Sequence, residues 1–131
     1  FDEIRAKALT AVDNEVKAHV AIAARFNLKV VAFEGGNGLW PPYPALSNPA
    51  LQAKLNSIQR DPQMKTLYAE FLNNWFNAGA QLMVHFTDVG SYSEAAGWFG
   101  SLEYVAQPRA EAPKYDGLMT FIANNRNRIV P

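Results

Sequence analysis

One glutamate in the chain stands where an acid could act on a substrate. Glu34 directly follows the predicted strand at residues 29–33, which is apolar from Val30 onward, and precedes the glycines Gly35, Gly36 and Gly38. Such a run without polar alternation is typical of a strand that is buried on both faces, as parallel strands are. Open α/β sheets and (β/α)8 barrels place their chemistry at the carboxyl ends of such strands. We therefore predict a site role for Glu34, although an acid that only accepts backbone N–H bonds from the glycine loop would give the same pattern.

Aromatic and polar residues follow this predicted strand and a second one at residues 81–86. Because the carboxyl ends of parallel strands share one edge of a sheet, both loops are expected on the same face. Aromatic rings in such loops can stack on a ligand or pack the loops internally, and both alternatives stay open here. His85 can hydrogen-bond a ligand or be a core histidine. The predicted substrate-binding residues are Asn37, Trp40, Tyr43, His85, Tyr92 and Trp98.

Other kinds of site find little support in the sequence. The two histidines, His19 and His85, have no carboxylates at matching spacing, so no metal site is predicted. The glycines at residues 35–38 fit neither the dinucleotide-binding nor the phosphate-loop spacing. The chain contains no cysteine, which excludes disulfides and thiolate ligands. We expect no cofactor.

The composition describes a globular chain without a strong charge. Its 131 residues suffice for one domain with a core, and 49% of them are hydrophobic. Twelve basic residues balance twelve acidic ones, which argues against nucleic acid or an anionic membrane as a partner. No stretch approaches the roughly 20 apolar residues of a membrane span. The sequence starts without Met and without a signal-peptide pattern, so we expect a mature product or a piece of a longer protein.

Apolar periodicity and capping residues predict the order helix, strand, helix, strand, helix within a single unit, residues 1–131. The predicted helices cover residues 2–25, 49–59 and 62–77, and a last helix begins at Pro113. Residues 124–131 are expected to form a polar tail. Trp75 lies on an apolar helix face and is predicted to be in the core. Two parallel strands joined by a helical crossover give an α/β fold. Because two strands cannot cover so many helices, we expect the chain to be part of a larger barrel, a partial (β/α)8 TIM barrel.

A series of segments follows one another in the order Val31-Ala32-Phe33-Glu34-Gly35-Gly36, Asp61-Pro62-Gln63-Met64-Lys65, Trp75, Gly79, Phe86, Trp98-Phe99-Gly100 and Pro113-Lys114-Tyr115. In this order the segments resemble the C-terminal part of bacterial glycoside-hydrolase-like (β/α)8 barrels, which are often labelled cellulose-binding or cellulase-like. The resemblance covers nearly the whole chain and implies that the two predicted strands, with their flanking helices, are the last two strands of the barrel.

The resemblance implies retaining glycoside hydrolysis, with Glu34 as the catalytic nucleophile at the end of the seventh strand. It further implies that residues 81–86 are the eighth strand, that Trp98 lines the sugar site, and that the general acid/base stands on a fourth strand absent from this sequence. Retaining hydrolysis needs two carboxyl groups ~5–5.5 Å apart. A second carboxylate from within the chain would have to be Asp88, Glu94 or Glu103.

A different class of function is also open: a non-catalytic carbohydrate-binding or cell-surface module on the same scaffold. For the hydrolase and the module alike, the expected ligand is an oligo- or polysaccharide and the expected location is extracellular or periplasmic. A third alternative is a fragment with no activity, left when the rest of the protein was removed. A partial barrel exposes strand edges, so another copy of the chain or the missing barrel strands are the expected protein partners.

Overall fold

The computed structural model describes residues 1–41, 43–93 and 97–129. A π-helical segment at Ile4–Leu9 leads into α1 (Thr10–Ala24), which is followed by α2 (Pro49–Gln59), α3 (Gln63–Asn77), α4 (Pro113–Asn124) and the short α5 (Arg126–Ile129). The strands are β1 (Val31–Gly35) and β2 (Leu82–His85), and 3-10 turns occur at Tyr43–Ala45 and Arg109–Glu111. The predicted α/β class is confirmed. The segment predicted as a polar tail contains α5.

Short-range hydrogen bonds and backbone geometry set the ends of these elements as the sequence predicts. The Asn48 side chain accepts hydrogen bonds from two amides in the first turn of α2. The Asp61 carboxylate accepts from the Gln63 amide, 2.8 Å away, where α3 begins. Asn27 and Gly79 end the preceding helices with φ angles of 54° and 97°, a region that asparagine and glycine adopt most easily.

The two strands form a parallel sheet whose register shifts near Glu34. Val31 pairs with Leu82 and Ala32 with Met83, but the next pair joins Gly35 to His85. Two residues of β1, Phe33 and Glu34, therefore oppose one residue of β2, which defines a β-bulge. The bulge carries the pairing to Gly35, so Glu34 lies inside the strand and not directly after it as predicted.

Helices cover only one face of this sheet. Val16 of α1 and Trp75 of α3 pack against Ala32 and Met83, and Trp75 is a core residue as predicted. The side chains on the other face are largely exposed: Val31 56%, Phe33 87%, Leu82 58% and Val84 50%.

The prediction that the strands are buried on both faces is wrong for this chain, because α1 and α3 reach only the Ala32–Met83 side. No barrel is evident, and in the described part of the chain neither outer edge of the sheet is paired. No helix in the described ranges is long and apolar enough to cross a membrane.

Helices α3 and α4 pack closely, and this contact positions the segment before α4. A Cβ on Gly117 would lie 2.6 Å from the Lys65 carbonyl oxygen, so glycine permits the two helices to approach. Phe76 and Phe121 stack across the same interface with ring centroids 5.5 Å apart. The beginning of α4 is thereby held beside the loops that follow both strands.

Candidate functional site

Glu34 lies exposed in the bulge at the carboxyl end of β1. No hydrogen bond or ion pair joins its carboxylate to another described residue. Bulges are common next to active sites, where they reorient a side chain. Glu34 also contributes to the lining of a cavity of about 330 Å³, together with the glycine loop and aromatic side chains from α3 and from the loop after β2. The arrangement leaves the Glu34 carboxylate free to meet a ligand.

The glycine loop packs directly against the end of β2. The Phe86 amide donates a hydrogen bond to the Gly35 carbonyl oxygen over 2.8 Å. Gly36 has a φ of 153°, and a Cβ there would lie 2.7 Å from the Phe86 carbonyl oxygen. Glycine at this position is thus required for the loop to approach β2, and Glu34 is held beside the loop that follows β2.

Four aromatic rings from the two loops form one cluster, which we name the aromatic surface: Trp40, Phe86, Trp98 and Phe99. Trp40 stacks on Phe99 with a centroid distance of 5.6 Å and meets Trp98 edge-on at 5.5 Å. Phe86 contacts Phe99 edge-on at 5.5 Å. Trp40 is 42% exposed, whereas Trp98 is 1% exposed. Trp40 therefore presents a ring to solvent that the others hold in place.

Asn37 connects the two loops below this surface. Its amide nitrogen donates to the Trp98 carbonyl oxygen at 2.8 Å and to Gln59 Oε1 at 2.6 Å. Its side-chain oxygen accepts from the Leu39 amide at 3.0 Å, which shapes the turn before Trp40. The Trp98 indole N–H donates to Asn56 Oδ1, 2.5 Å away. Buried polar groups paired in this way fix one arrangement of the loops.

A buried lysine binds the same carbonyl group. Lys114, in the first turn of α4, is fully buried and its Nζ donates to the Trp98 carbonyl oxygen over 2.8 Å. The ammonium also lies 4.2 Å from the centroid of the Tyr92 ring, a cation–π distance. Burial lowers the pKa of Lys114 from 10.5 to about 7, and the Glu103 charge opposes this shift. Lysine is seldom fully buried, so nothing in the sequence marked this residue as part of the site.

The structure separates the predicted site residues into two groups. Glu34, Trp40 and Tyr43 are exposed. Asn37, Tyr92 and Trp98 are buried and make internal hydrogen bonds, the Tyr92 hydroxyl donating to the Gly100 carbonyl oxygen over 3.1 Å. In this arrangement these three side chains position the loops and do not face a ligand on the surface.

His85 lies beneath the glycine loop and near Tyr68. Its Nε2 is 3.7 Å from where a Cβ on Gly36 would stand, and its ring centroid is 5.9 Å from that of Tyr68. Neither ring nitrogen of His85 has a hydrogen-bond partner in the described part of the chain. Burial lowers the pKa of His85, and the charge of Asp88 opposes that shift. His85 is therefore a neutral imidazole at neutral pH.

The carboxylates considered as partners for Glu34 differ in availability. Glu103 pairs with Arg60, whose Nε donates to Oε1 at 2.7 Å. Asp88 and His85 both line another cavity, of about 320 Å³, between β2, α3 and α4. Glu94 lies outside the described residues. In the described ranges, no group of three or more histidine or acidic side chains is placed to hold a metal ion.

Two residues important to the site were not predicted, Lys114 and Gln59, because their burial depends on contacts distant in sequence. Asn37 binds Gln59 across 22 positions, and Lys114 binds the Trp98 carbonyl across 16. Comparison with known proteins adds no relative: no family model, curated protein or solved structure matches this chain.

Proposed function

We propose that this chain is part of a (β/α)8 barrel and carries one side of its carbohydrate-binding face. The support is the parallel pair of strands with helices on one face only. In barrels, the other face of each strand points to the interior and is covered by further strands. Val31, Phe33, Leu82 and Val84 are apolar and exposed on that face, and further strands would bury them.

The function that this geometry supports best is retaining hydrolysis of an oligo- or polysaccharide, with Glu34 as the nucleophile. The observation that carries the proposal is the exposed, unpaired Glu34 carboxylate at the carboxyl end of β1, beside an exposed Trp40 ring. A nucleophilic carboxylate must reach the anomeric carbon, and an aromatic ring stacked on a neighbouring sugar holds that carbon in place. We place the general acid/base on the strands that complete the barrel, as the resemblance implies; within the chain, Glu103 is bound to Arg60 and Asp88 lines a different cavity from Glu34.

A non-catalytic carbohydrate-binding module is the second candidate, and the aromatic surface favours it independently of Glu34. Trp40 is held between Phe99 and Trp98 before any ligand arrives. A preformed ring of this kind binds a sugar without an ordering penalty and needs no acid nearby. In that case Glu34 only accepts hydrogen bonds from sugar hydroxyl groups.

One pair of substitutions separates these functions when made in the complete protein that contains this chain. Glu34→Gln keeps the size of the side chain and one acceptor oxygen but removes the nucleophile. Retaining hydrolysis predicts a loss of kcat on β-glucan oligosaccharides of at least about 10³-fold with binding retained. Glu15→Gln, at an exposed position on α1, is the matched control and leaves kcat unchanged.

The outcomes of these measurements distinguish the hydrolase from the binding module. Unchanged hydrolysis in Glu34→Gln removes Glu34 from the nucleophile role. A parent protein that binds the oligosaccharides without hydrolysing them establishes the binding module. Trp40→Ala weakens binding under both proposals, by roughly tenfold or more for the loss of one stacked ring. If neither the parent nor the variants bind any glucan or related oligosaccharide, the carbohydrate proposal itself fails.

A further inference from the structure

The buried ammonium of Lys114 has few compensating partners. An ammonium group has three N–H donors, and among the described residues it meets one oxygen acceptor, the Trp98 carbonyl, and the face of Tyr92. In the described part of the chain no carboxylate contacts Lys114; the negative charge that acts on it is that of Glu103, which is paired with Arg60. A buried charge without a direct counter-charge disfavours the arrangement that buries it.

The atom that Lys114 binds is also where the two loops meet. The Trp98 carbonyl oxygen accepts from Lys114 at the beginning of α4 and from Asn37 in the loop after β1. The Trp98 ring contacts Trp40 edge-on. Water can reach the Lys114 ammonium if the Trp98 segment moves away from it, and the same movement separates Trp98 from Asn37 and from Trp40.

We propose that Lys114 is a positioning residue through which proton uptake loosens the contact between the loop after β1 and the loop after β2. The aromatic surface around Trp40 is then more ordered in mildly alkaline than in neutral solution. As a property of the loops, this inference stands without a carbohydrate ligand. As regulation of ligand binding, it rests on the proposed function.

The direction follows from proton linkage. In the closed arrangement burial lowers the pKa of Lys114 to about 7, whereas a hydrated lysine has a pKa of about 10.4. The open arrangement therefore binds more protons between these values, and the closed-to-open ratio rises about tenfold per pH unit in that range. Below a pH of about 7 both arrangements hold the proton and the dependence ends.

The other groups around Lys114 keep their protonation state across this range. Burial lowers the pKa of His85, which is already neutral, and burial raises the pKa of Tyr92, which stays protonated. The hydrogen bond to Glu103 raises the pKa of Arg60, which remains a cation. The charge of Asp88 acts on His85 in the raising direction but does not outweigh the effect of burial. A change between pH 7 and pH 9 is thus assigned to Lys114.

Hydrogen exchange followed by NMR tests this, because it detects openings that are rarely populated. The probe is the indole N–H of Trp98, which is bonded to Asn56, and its protection factor corrects for the intrinsic exchange rate at each pH. We expect protection to rise about 50-fold from pH 7 to pH 9 in the parent and to stay constant in Lys114→Met. The exposed Lys54→Met is the matched control and follows the parent.

Two further comparisons make the test decisive. Lys114→Gln retains a donor for the Trp98 carbonyl and provides a pH-independent reference if the methionine variant does not fold. Protection of the Leu72 amide in α3 reports global unfolding, and a local opening requires lower protection at Trp98 than at Leu72. Constant protection in the parent, the same rise in all variants, or equal protection at both sites would each overturn the inference. These measurements contain no sugar, so failure of the carbohydrate proposal does not affect them.

Discussion

The buried Lys114 makes the stability of the whole fold depend on pH in a calculable way. The unfolded lysine keeps its proton up to a pH of about 10.5, whereas the folded one loses it near 7. Between these values the unfolded state binds more protons, so the free energy of unfolding rises with pH. Each pH unit well above the folded pKa adds about 1.4 kcal/mol, and the rise from pH 7 to pH 9 is about 2 kcal/mol.

Lys114→Met removes this dependence and retains a side chain of similar length. The variant loses one hydrogen bond to the Trp98 carbonyl, which still accepts from Asn37. Replacing a poorly compensated buried charge by an apolar side chain is often neutral or stabilising. We therefore expect the variant to be at least as stable as the parent at pH 7 and to lose about 2 kcal/mol relative to it by pH 9.

Urea denaturation at pH 7, 8 and 9, monitored by circular dichroism, measures the free energy of unfolding directly. The buried tyrosines Tyr68 and Tyr92 do not interfere in this range, because burial raises the pKa of both. Lys54→Met, which removes one exposed charge, reproduces the pH dependence of the parent. A parent whose stability is flat across this range, or a Lys114→Met variant that keeps the slope, would show that the buried ammonium does not control it.

Two further predictions concern backbone contact and the open face of the sheet. Gly100→Ala lowers the free energy of unfolding by about 1–3 kcal/mol, because a Cβ there meets backbone atoms of Gly90 and Leu102 that cannot move aside. In the control Gly38→Ala the added Cβ meets nothing within 4 Å, so the free energy of unfolding changes by less than about 0.5 kcal/mol. Equal urea midpoints for the two variants would contradict this prediction. The isolated chain is expected to associate through the apolar face of the sheet, on which Phe33 is 87% exposed. Phe33→Lys abolishes this concentration-dependent association in light scattering. The control Ala21→Lys, at an exposed position on α1, leaves it unchanged. A parent chain that is monomeric at every concentration refutes the second prediction.

The sequence predicted the order and type of the elements well because local chemistry decides them. Asn48 and Asp61 mark helix starts through bonds to amides two or three residues away, and Gly79 marks an end through its own backbone angle. The strand bounds were less accurate. The bulge at Phe33 and Glu34 extends the pairing to Gly35, and register is a property of two strands that neither shows alone.

The site was predicted in outline but not in its division between exposed and buried residues. The sequence placed Trp40 and Trp98 alike in loops at the carboxyl ends of strands. Only contacts with Asn56 on α2 and Lys114 on α4 bury Trp98, and these partners are 42 and 16 positions away. The sequence likewise gave no reason to expect a lysine below the loops. Burial at such distances follows from how the helices pack, which residue type and spacing do not determine.

The open face of the sheet and the missing second carboxylate have a common explanation under the proposed function. Retaining hydrolysis needs a second carboxyl group ~5–5.5 Å from Glu34. Of the described candidates, Glu103 is bound to Arg60 and Asp88 lines a different cavity from Glu34. Strands that pack on Val31, Phe33, Leu82 and Val84 would end at the same edge as β1, because parallel strands in a barrel share one active face. The strands that bury the apolar face would thus also be the ones able to bring an acid to Glu34. For this reason we expect hydrolysis that depends on Glu34 to occur in the same assembly that buries Phe33. An assembly that buries Phe33 but does not hydrolyse the sugar would favour the carbohydrate-binding module as the function.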